Sequence, residues 1–68
     1  MDQVAISGDV IKLGQFLKLI DVIEQGSDAK LLLAEQRVRV NGEIEQRRGR
    51  QLHRGDRVQI DDQQFAVG

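Results

Sequence analysis

The stretch Ser27–Asp56, SDAKLLLAEQRVRVNGEIEQRRGRQLHRGD, decides the fold that this chain can adopt. It contains, in order, an apolar segment with helical character, an alternating Val-Arg-Val, an Asn-Gly pair, several arginines and a Gly-Asp pair. An Asn-Gly pair after alternating apolar residues predicts a β-hairpin, because both turn positions tolerate a positive φ. The stretch therefore predicts a helix and a small sheet within one short unit.

Size and composition limit the classes of protein to which the chain can belong. With 68 residues, positions 1–68 are expected to form one small domain. The chain has no cysteine and a single histidine, so disulfides are excluded and a zinc site made by this protein alone is not expected. No apolar run approaches the roughly 20 residues that a membrane-spanning helix needs, and the start, Met1-Asp2, is unlike a secretory signal. We expect a cytoplasmic protein without a cofactor.

Charge is distributed unevenly along the chain. Residues 1–28 carry a formal charge of −3, residues 29–57 carry +4 and residues 58–68 carry −2, which together give the net charge of −1. The sequence pI of about 5.7 is lower than that of a typical nucleic-acid-binding domain. Salt screens exposed charges beyond about 8 Å, however, so a local basic patch can act independently of distant acidic segments. The middle of the chain is therefore a candidate anion-binding surface.

Helical periodicity predicts two helices. The first is predicted over residues 10–20, with Asp9 as its N-cap, from four apolar residues at the spacing of one helix face: Val10, Leu13, Leu17 and Ile20. Gly14 costs a helix up to about 1 kcal/mol relative to alanine, which predicts close packing at that point. The second helix is predicted over residues 28–36, and its broad apolar surface predicts that it is well buried. Ser27 would cap it, after a connector at 21–26.

The rest of the chain is predicted to form short strands, at 4–6, 38–40, 43–45, 57–60 and 64–67. A two-residue Asn-Gly turn would place Ile44 beside Arg39, away from the valines, whereas a bulged three-residue turn would restore a single apolar face. The bulge is the preferred interpretation. A basic loop, residues 46–51, follows this hairpin. The predicted fold is α+β, with two helices packed on a small, mainly antiparallel, twisted β-sheet.

This order of elements resembles the S-four-type RNA-binding domain, also called the alpha-L RNA-binding motif. The resemblance covers about residues 10–60. More narrowly, the chain resembles small stand-alone bacterial members of the YaaA and YbcJ type. It is carried by LGQFLKL (13–19), VRVNG (38–42), NGEIEQRRGR (41–50) and GDRVQI (55–60). The resemblance implies binding of structured RNA, with ribosomal RNA as the target. The chain departs from many members at Gly14, where they have an acid, and at Asp28, where they have arginine.

Three arginines within four positions, Arg47, Arg48 and Arg50, are the main candidates for RNA contact. Clustered cations repel one another, and the planar guanidinium matches phosphate oxygens, so the cluster favours an anionic partner. Lys30 in the first turn of a helix faces the positive end of the helix dipole. A phosphate bound there by the backbone N–H groups and the Ser27 hydroxyl would make that position favourable.

Arg39, Arg57 and Lys12 complete the candidate RNA-binding residues. The two arginines occupy outward strand positions, and Lys12 lies within the resembling motif. Lys18 lies in the same motif but is not among the candidates. Phe16 and Phe65 are the only aromatic residues, and both fall in apolar patterns that indicate the core. Stacking of single-stranded bases is therefore not expected, and contacts to phosphates, 2′-hydroxyls and RNA shape fit better.

The sequence favours a binding protein over an enzyme. It has no nucleophile–base pair and no metal-ligating cluster, and its carboxylates are scattered. We expect a non-enzymatic, monomeric RNA-binding protein that acts on ribosomal RNA or ribosomal particles, with no membrane and no small-molecule substrate as partner. The alternative is a protein–protein adaptor, in which the acidic segments 2–28 and 58–68 dock a basic partner and the arginines pair with carboxylates.

Overall fold

The computed structural model describes residues 2–21 and 26–68, with the side chains of residues 26 and 27 left aside. These residues form an α+β fold in which two helices pack on a mainly antiparallel sheet, as predicted. The elements in chain order are β1 (Asp2–Val4), β2 (Val10–Lys12), α1 (Leu13–Leu19), α2 (Gly26–Ala34), β3 (Val38–Val40), β4 (Glu43–Ile44), β5 (Gln51–His53), β6 (Arg57–Ile60) and β7 (Gln63–Val67).

Five of the strands form one sheet in the order β1-β7-β6-β3-β4, and β2 pairs with β5 in a separate two-stranded ribbon. All pairings are antiparallel except that of β1 with β7. The edge strand predicted at 4–6 is present at the sheet edge but lies earlier, at Asp2–Val4. The second strand of the hairpin is shorter than predicted and ends at Ile44.

The core lies between the helices and one face of the five-stranded sheet. From α1 it receives Leu13, Phe16 and Leu17, and from α2 it receives Ala29, Leu32 and Leu33. The inward residues of the central strands, Val38, Val40, Val58 and Ile60, meet them from the sheet. Phe16 and Phe65 make an edge-to-face contact with ring centroids 6.5 Å apart, so both aromatic residues are committed to packing, as predicted.

The first helix begins later than the periodicity predicts. Residues 10–12 form β2, in which Ile11 pairs with Leu52, and the helix starts only at Leu13. The predicted Asp9 cap is therefore wrong, and Lys12 occupies the N-cap position with extended backbone angles. Valine and isoleucine favour strands, and the partner strand lies some forty residues further along the chain, so a local pattern could not reveal the pairing.

The second helix begins two residues earlier than predicted, at Gly26, and ends at Ala34. Residues 22–25 of the predicted connector, and the side chain of the predicted cap Ser27, lie outside the described residues. The helix is less deeply buried than its composition suggests, because Leu31 is 63% exposed. Its apolar surface therefore extends beyond the face that packs on the core.

The Asn-Gly turn has two residues, so the predicted bulge is wrong. Val40 pairs with Glu43 and Arg39 pairs with Ile44. Asn41 and Gly42 have φ values of 52° and 86°, which are those of the two-residue turn that matches strand twist. The register leaves Ile44 46% exposed on the face turned away from the helices. This exposure of an apolar side chain is limited to one residue, because β4 is a short edge strand.

The Asn-Gly and Gly-Asp turns are joined to each other by hydrogen bonds. Asn41 accepts a bond from the Arg57 backbone N–H at 2.9 Å and donates one to the Asp56 carboxylate at 3.2 Å. Asp56 also accepts a bond from the His53 backbone N–H at 2.7 Å. The two turns that define the motif in the sequence therefore stabilise one another.

Candidate nucleic-acid interface

The basic loop is fixed to the start of α1 by backbone hydrogen bonds. The Leu13 N–H donates to the Arg50 carbonyl at 2.8 Å, and the Gly14 N–H donates to the Arg48 carbonyl at 2.9 Å. The loop also approaches Gly14 closely, because a Cβ atom at that position would lie 2.5 Å from Arg48 Cγ. The close packing predicted at Gly14 is confirmed, and it holds the stem of Arg48 against the helix.

The loop, α1 and α2 together form a shallow basic depression. Its lining includes Lys12, Lys18 and Arg48, with Gly14, Gln15, Ala29 and Gly49 between them. All three cationic side chains are exposed. Among the described residues no carboxylate lines the depression, and Arg48 also has an interaction within the protein. Three cations, from β2, α1 and the basic loop, therefore meet at one site that is open to an anion.

Glu45, immediately before the basic loop, organises the arginines that follow it. Its carboxylate is buried and accepts hydrogen bonds from the Arg47 backbone N–H at 3.1 Å, from Arg47 Nε at 3.2 Å and from Arg50 at 2.8 Å. The Arg47 side chain, aided by its backbone N–H and by Arg50 and opposed by burial, lowers the pKa of Glu45 from 4.5 to about 2. Glu45 is thus ionised at neutral pH and partly compensates the two arginines.

The three loop arginines therefore have different surroundings. Arg47 keeps 75% of its side chain exposed while bonded to Glu45, and Arg50 keeps only 34%. Ion pairing with Glu45 raises the pKa of Arg47. Arg48 turns to the other side of the loop, where it lines the basic depression. Arg47 and Arg50 line a second hollow with Gln51 and His53. The cluster seen in the sequence is divided between two neighbouring surfaces.

The structure places Arg39 and Arg57 away from the basic loop. Both are exposed and alternate with buried valines, so they lie on the outer face of the five-stranded sheet, opposite the helices. They line one depression together with Asn41 and Gln59. The eight candidate residues therefore do not form one surface, because these two lie on a different side of the sheet from α1 and the loop packed on it.

Lys30 is exposed on α2, one residue beyond Ala29 in the basic depression. The side chain of Ser27 lies outside the described residues, so the predicted pairing of Ser27 and Lys30 around a phosphate stays a prediction. Asp28, which follows Ser27, is exposed and has an interaction within the protein.

Comparison with known proteins agrees with the architecture described above. A family model described as "S4 domain" matches residues 4–68. The chain belongs to the S4 domain family. A curated protein of Bacillus subtilis (strain 168), described as "Probable ribosome maturation protein RlbA", is 52% identical over 58 residues, which span 85% of this chain and 82% of that protein. This S4 chain is thus similar to a relative of nearly its own length.

In the segments 2–21 and 26–68, no group of three or more histidine, cysteine or acidic side chains could hold a metal ion. None of the helices there is long and apolar enough to cross a membrane.

Sequence reasoning missed two parts of this candidate interface. The candidate residues predicted from the sequence omit Lys18, which lines the basic depression with Lys12 because α1 begins at Leu13. The sequence predicts only a strand position for Glu45, whereas the structure shows that Glu45 pairs with Arg47 and Arg50. A single acid directly before a cluster of arginines is the signal that could have indicated it.

Proposed function

We propose that this S4 protein is a non-enzymatic RNA-binding protein that acts on structured ribosomal RNA during ribosome assembly or maturation in the cytoplasm. Family membership supports the RNA-binding class, and the similarity to the probable ribosome maturation protein of Bacillus subtilis supports the ribosomal context. No cofactor is needed for such a role, because binding and orientation are its only chemistry.

The main support for the proposal is that Lys12, Lys18 and Arg48 meet in one exposed depression, whose lining contains no carboxylate among the described residues. Grouped cations repel each other, and a bound phosphate removes that repulsion. Charge-assisted hydrogen bonds of arginine and lysine to phosphate are roughly twice as strong as neutral ones. The negative net charge of the chain does not prevent this, since screening limits each exposed charge to about 8 Å.

In the proposed mechanism the basic loop acts as a rigid platform. The bonds from α1 to the loop carbonyls and the Glu45 carboxylate fix the loop before RNA arrives, so that little conformational entropy is lost on binding. Arg48 contacts one backbone segment with Lys12 and Lys18, and Arg47 contacts the adjoining stretch. Ser27 and Lys30 are proposed to receive a further phosphate at the start of α2. Recognition is by backbone and shape, since Phe16 is buried in the core and Phe65 packs against it.

The test is the double variant Lys12→Gln/Arg48→Gln, with affinity measured against deproteinised ribosomal RNA. We expect binding to weaken at least tenfold, which corresponds to about 1.4 kcal/mol. The wild-type logarithm of affinity should fall against the logarithm of salt with a slope of roughly −3 to −4, since about four phosphates are contacted, and the variant slope should be about two smaller in magnitude.

The matched control is Arg37→Gln/Arg54→Gln, which also removes two positive charges, but from residues outside the depression. Arg37 pairs with Asp61 and Arg54 bonds to the Gly8 carbonyl. This control should change affinity less than twofold. A wild-type protein that does not bind ribosomal RNA, or a salt slope near zero, would contradict the proposal and would favour the protein–protein adaptor instead.

A further inference from the structure

The outer face of the five-stranded sheet has a side-chain composition set by strand register. Cross-strand partners point to the same side, so pairing of Arg39 with Gln59 and of Gln59 with Gln64 aligns these three residues in one row. Arg57, two positions before Gln59, lies on the same face, and it pairs with Ala66. Gln3 on β1 extends the face toward one edge, because it is the partner of Ala66.

This face is polar and basic. Its seven side chains in the five strands are two arginines, three glutamines, one alanine and one isoleucine. The two carboxylates in these strands, Asp2 and Glu43, pair with Phe65 and Val40, and therefore belong to the side of the helices. No described element covers the outer face, and both of its arginines are exposed.

The two arginines of the outer face have few internal partners. Arg57 makes no side-chain hydrogen bond or ion pair among the described residues, and Arg39 makes only a 3.4 Å bond to the Gly42 carbonyl. Elsewhere, Arg37 is paired with Asp61, Arg54 with the Gly8 carbonyl, and Arg50 with Glu45. Arg39 and Arg57 thus keep most of their donors available, and they line one depression with Asn41 and Gln64.

We propose that the outer sheet face is a second RNA-binding surface, which takes a phosphodiester backbone segment separate from the one held at the basic depression. This inference rests on the proposed function. Guanidinium and amide donors without carboxylates match phosphate and ribose oxygens, which receive most polar contacts in nucleic-acid complexes. A protein partner fits less well, because protein interfaces are enriched in aromatic residues and methionine, and the seven side chains of this face include neither.

The two surfaces lie on different sides of the molecule. The basic depression belongs to the helices, which cover the inner face of the sheet, and Arg39 and Arg57 point the other way. A folded RNA that contacts both would place two of its backbone segments on either side of this small protein. The protein then joins two RNA segments, instead of resting on one.

The experiment measures the affinity of Arg39→Gln/Arg57→Gln for deproteinised ribosomal RNA, against the control Arg37→Gln/Arg54→Gln of equal charge. We expect the outer-face variant to bind five- to tenfold more weakly, with a salt slope reduced in magnitude by about two, while the control changes less than twofold. Urea denaturation checks that each variant is folded. Combined with Lys12→Gln/Arg48→Gln, the losses in affinity should multiply, because the two sites are separate.

Three outcomes would overturn the inference. If the basic-depression variant loses affinity and the outer-face variant keeps both affinity and slope, the proposed function stands and the second surface is rejected. If the outer-face variant loses binding to intact ribosomal particles but not to deproteinised RNA, the face binds a protein. If wild-type protein fails to bind ribosomal RNA at all, the proposed function fails together with this inference.

Discussion

Replacement of Glu45 by glutamine tests whether this carboxylate organises the basic loop. The wild-type group accepts bonds from Arg47 and Arg50, and its pKa is lowered from 4.5 to about 2. A difference of that size between the folded and unfolded states corresponds to roughly 3 kcal/mol of stability at neutral pH. Arg47 is largely exposed, however, and water screens its charge, so we expect Glu45→Gln to lower the free energy of unfolding by about 1 to 2 kcal/mol.

The pH dependence of this loss has a definite sign. A carboxyl group whose pKa is lowered by folding stabilises the protein above its unfolded pKa, and the stabilisation disappears as the pH falls through the folded value. The difference in stability between wild type and Glu45→Gln should therefore be complete above pH 4.5 and should shrink progressively toward pH 2. Glutamine does not titrate, so this difference isolates Glu45 from the other carboxylates.

Urea denaturation of both proteins in a pH series measures this difference, and thermal denaturation at pH 7 should show a midpoint about 5 to 10 °C lower for the variant. The matched control is Glu43→Gln. Glu43 is exposed on β4 and has no side-chain hydrogen bond or ion pair among the described residues, so its loss should change stability by less than about 0.5 kcal/mol. If the stability difference between wild type and Glu45→Gln stays constant down to pH 2, the stabilisation does not come from the ionised Glu45 carboxylate.

Two further substitutions test the contacts that position the interface. Asn41→Ala removes the hydrogen bonds to Arg57 and Asp56, and it also replaces a residue that tolerates a positive φ. It should therefore lower the free energy of unfolding, measured by urea denaturation, by roughly 1 to 3 kcal/mol. Asn41→Gly removes the same bonds but tolerates the positive φ, so it should lower the free energy of unfolding by less. Equal losses would show that the side-chain bonds alone matter. Gly14→Ala places a Cβ atom 2.5 Å from Arg48 Cγ and should displace that side chain, which weakens RNA binding severalfold. Its stability should change by less than about 1 kcal/mol, because alanine favours the helix. In an Arg48→Ala background the same change should stabilise the protein, and failure to do so would contradict the contact.

Much of the fold could be predicted because its signals are local. Asn41, Gly42 and Gly55 adopt the positive φ values that their residue types favour, and the turns formed where the sequence placed them. Alternation of valine and arginine in residues 38–40 correctly predicted which side of β3 is buried. The helix prediction is wrong at residues 10–12. Their apolar spacing continues that of α1, but their backbone pairs with β5.

By itself, the sequence determined the α+β class, the turn positions, the two core aromatics and the concentration of positive charge in the middle of the chain. These properties depend on backbone preferences, side-chain alternation and composition, all of which act over a few residues. Only the tertiary structure decided how the charges are grouped. Lys12 and Lys18 join Arg48 because β2 and α1 bring them beside the loop, and Arg39 and Arg57 separate from it because strand register turns them outward. Residues distant in sequence become neighbours through packing and pairing, which no local pattern specifies.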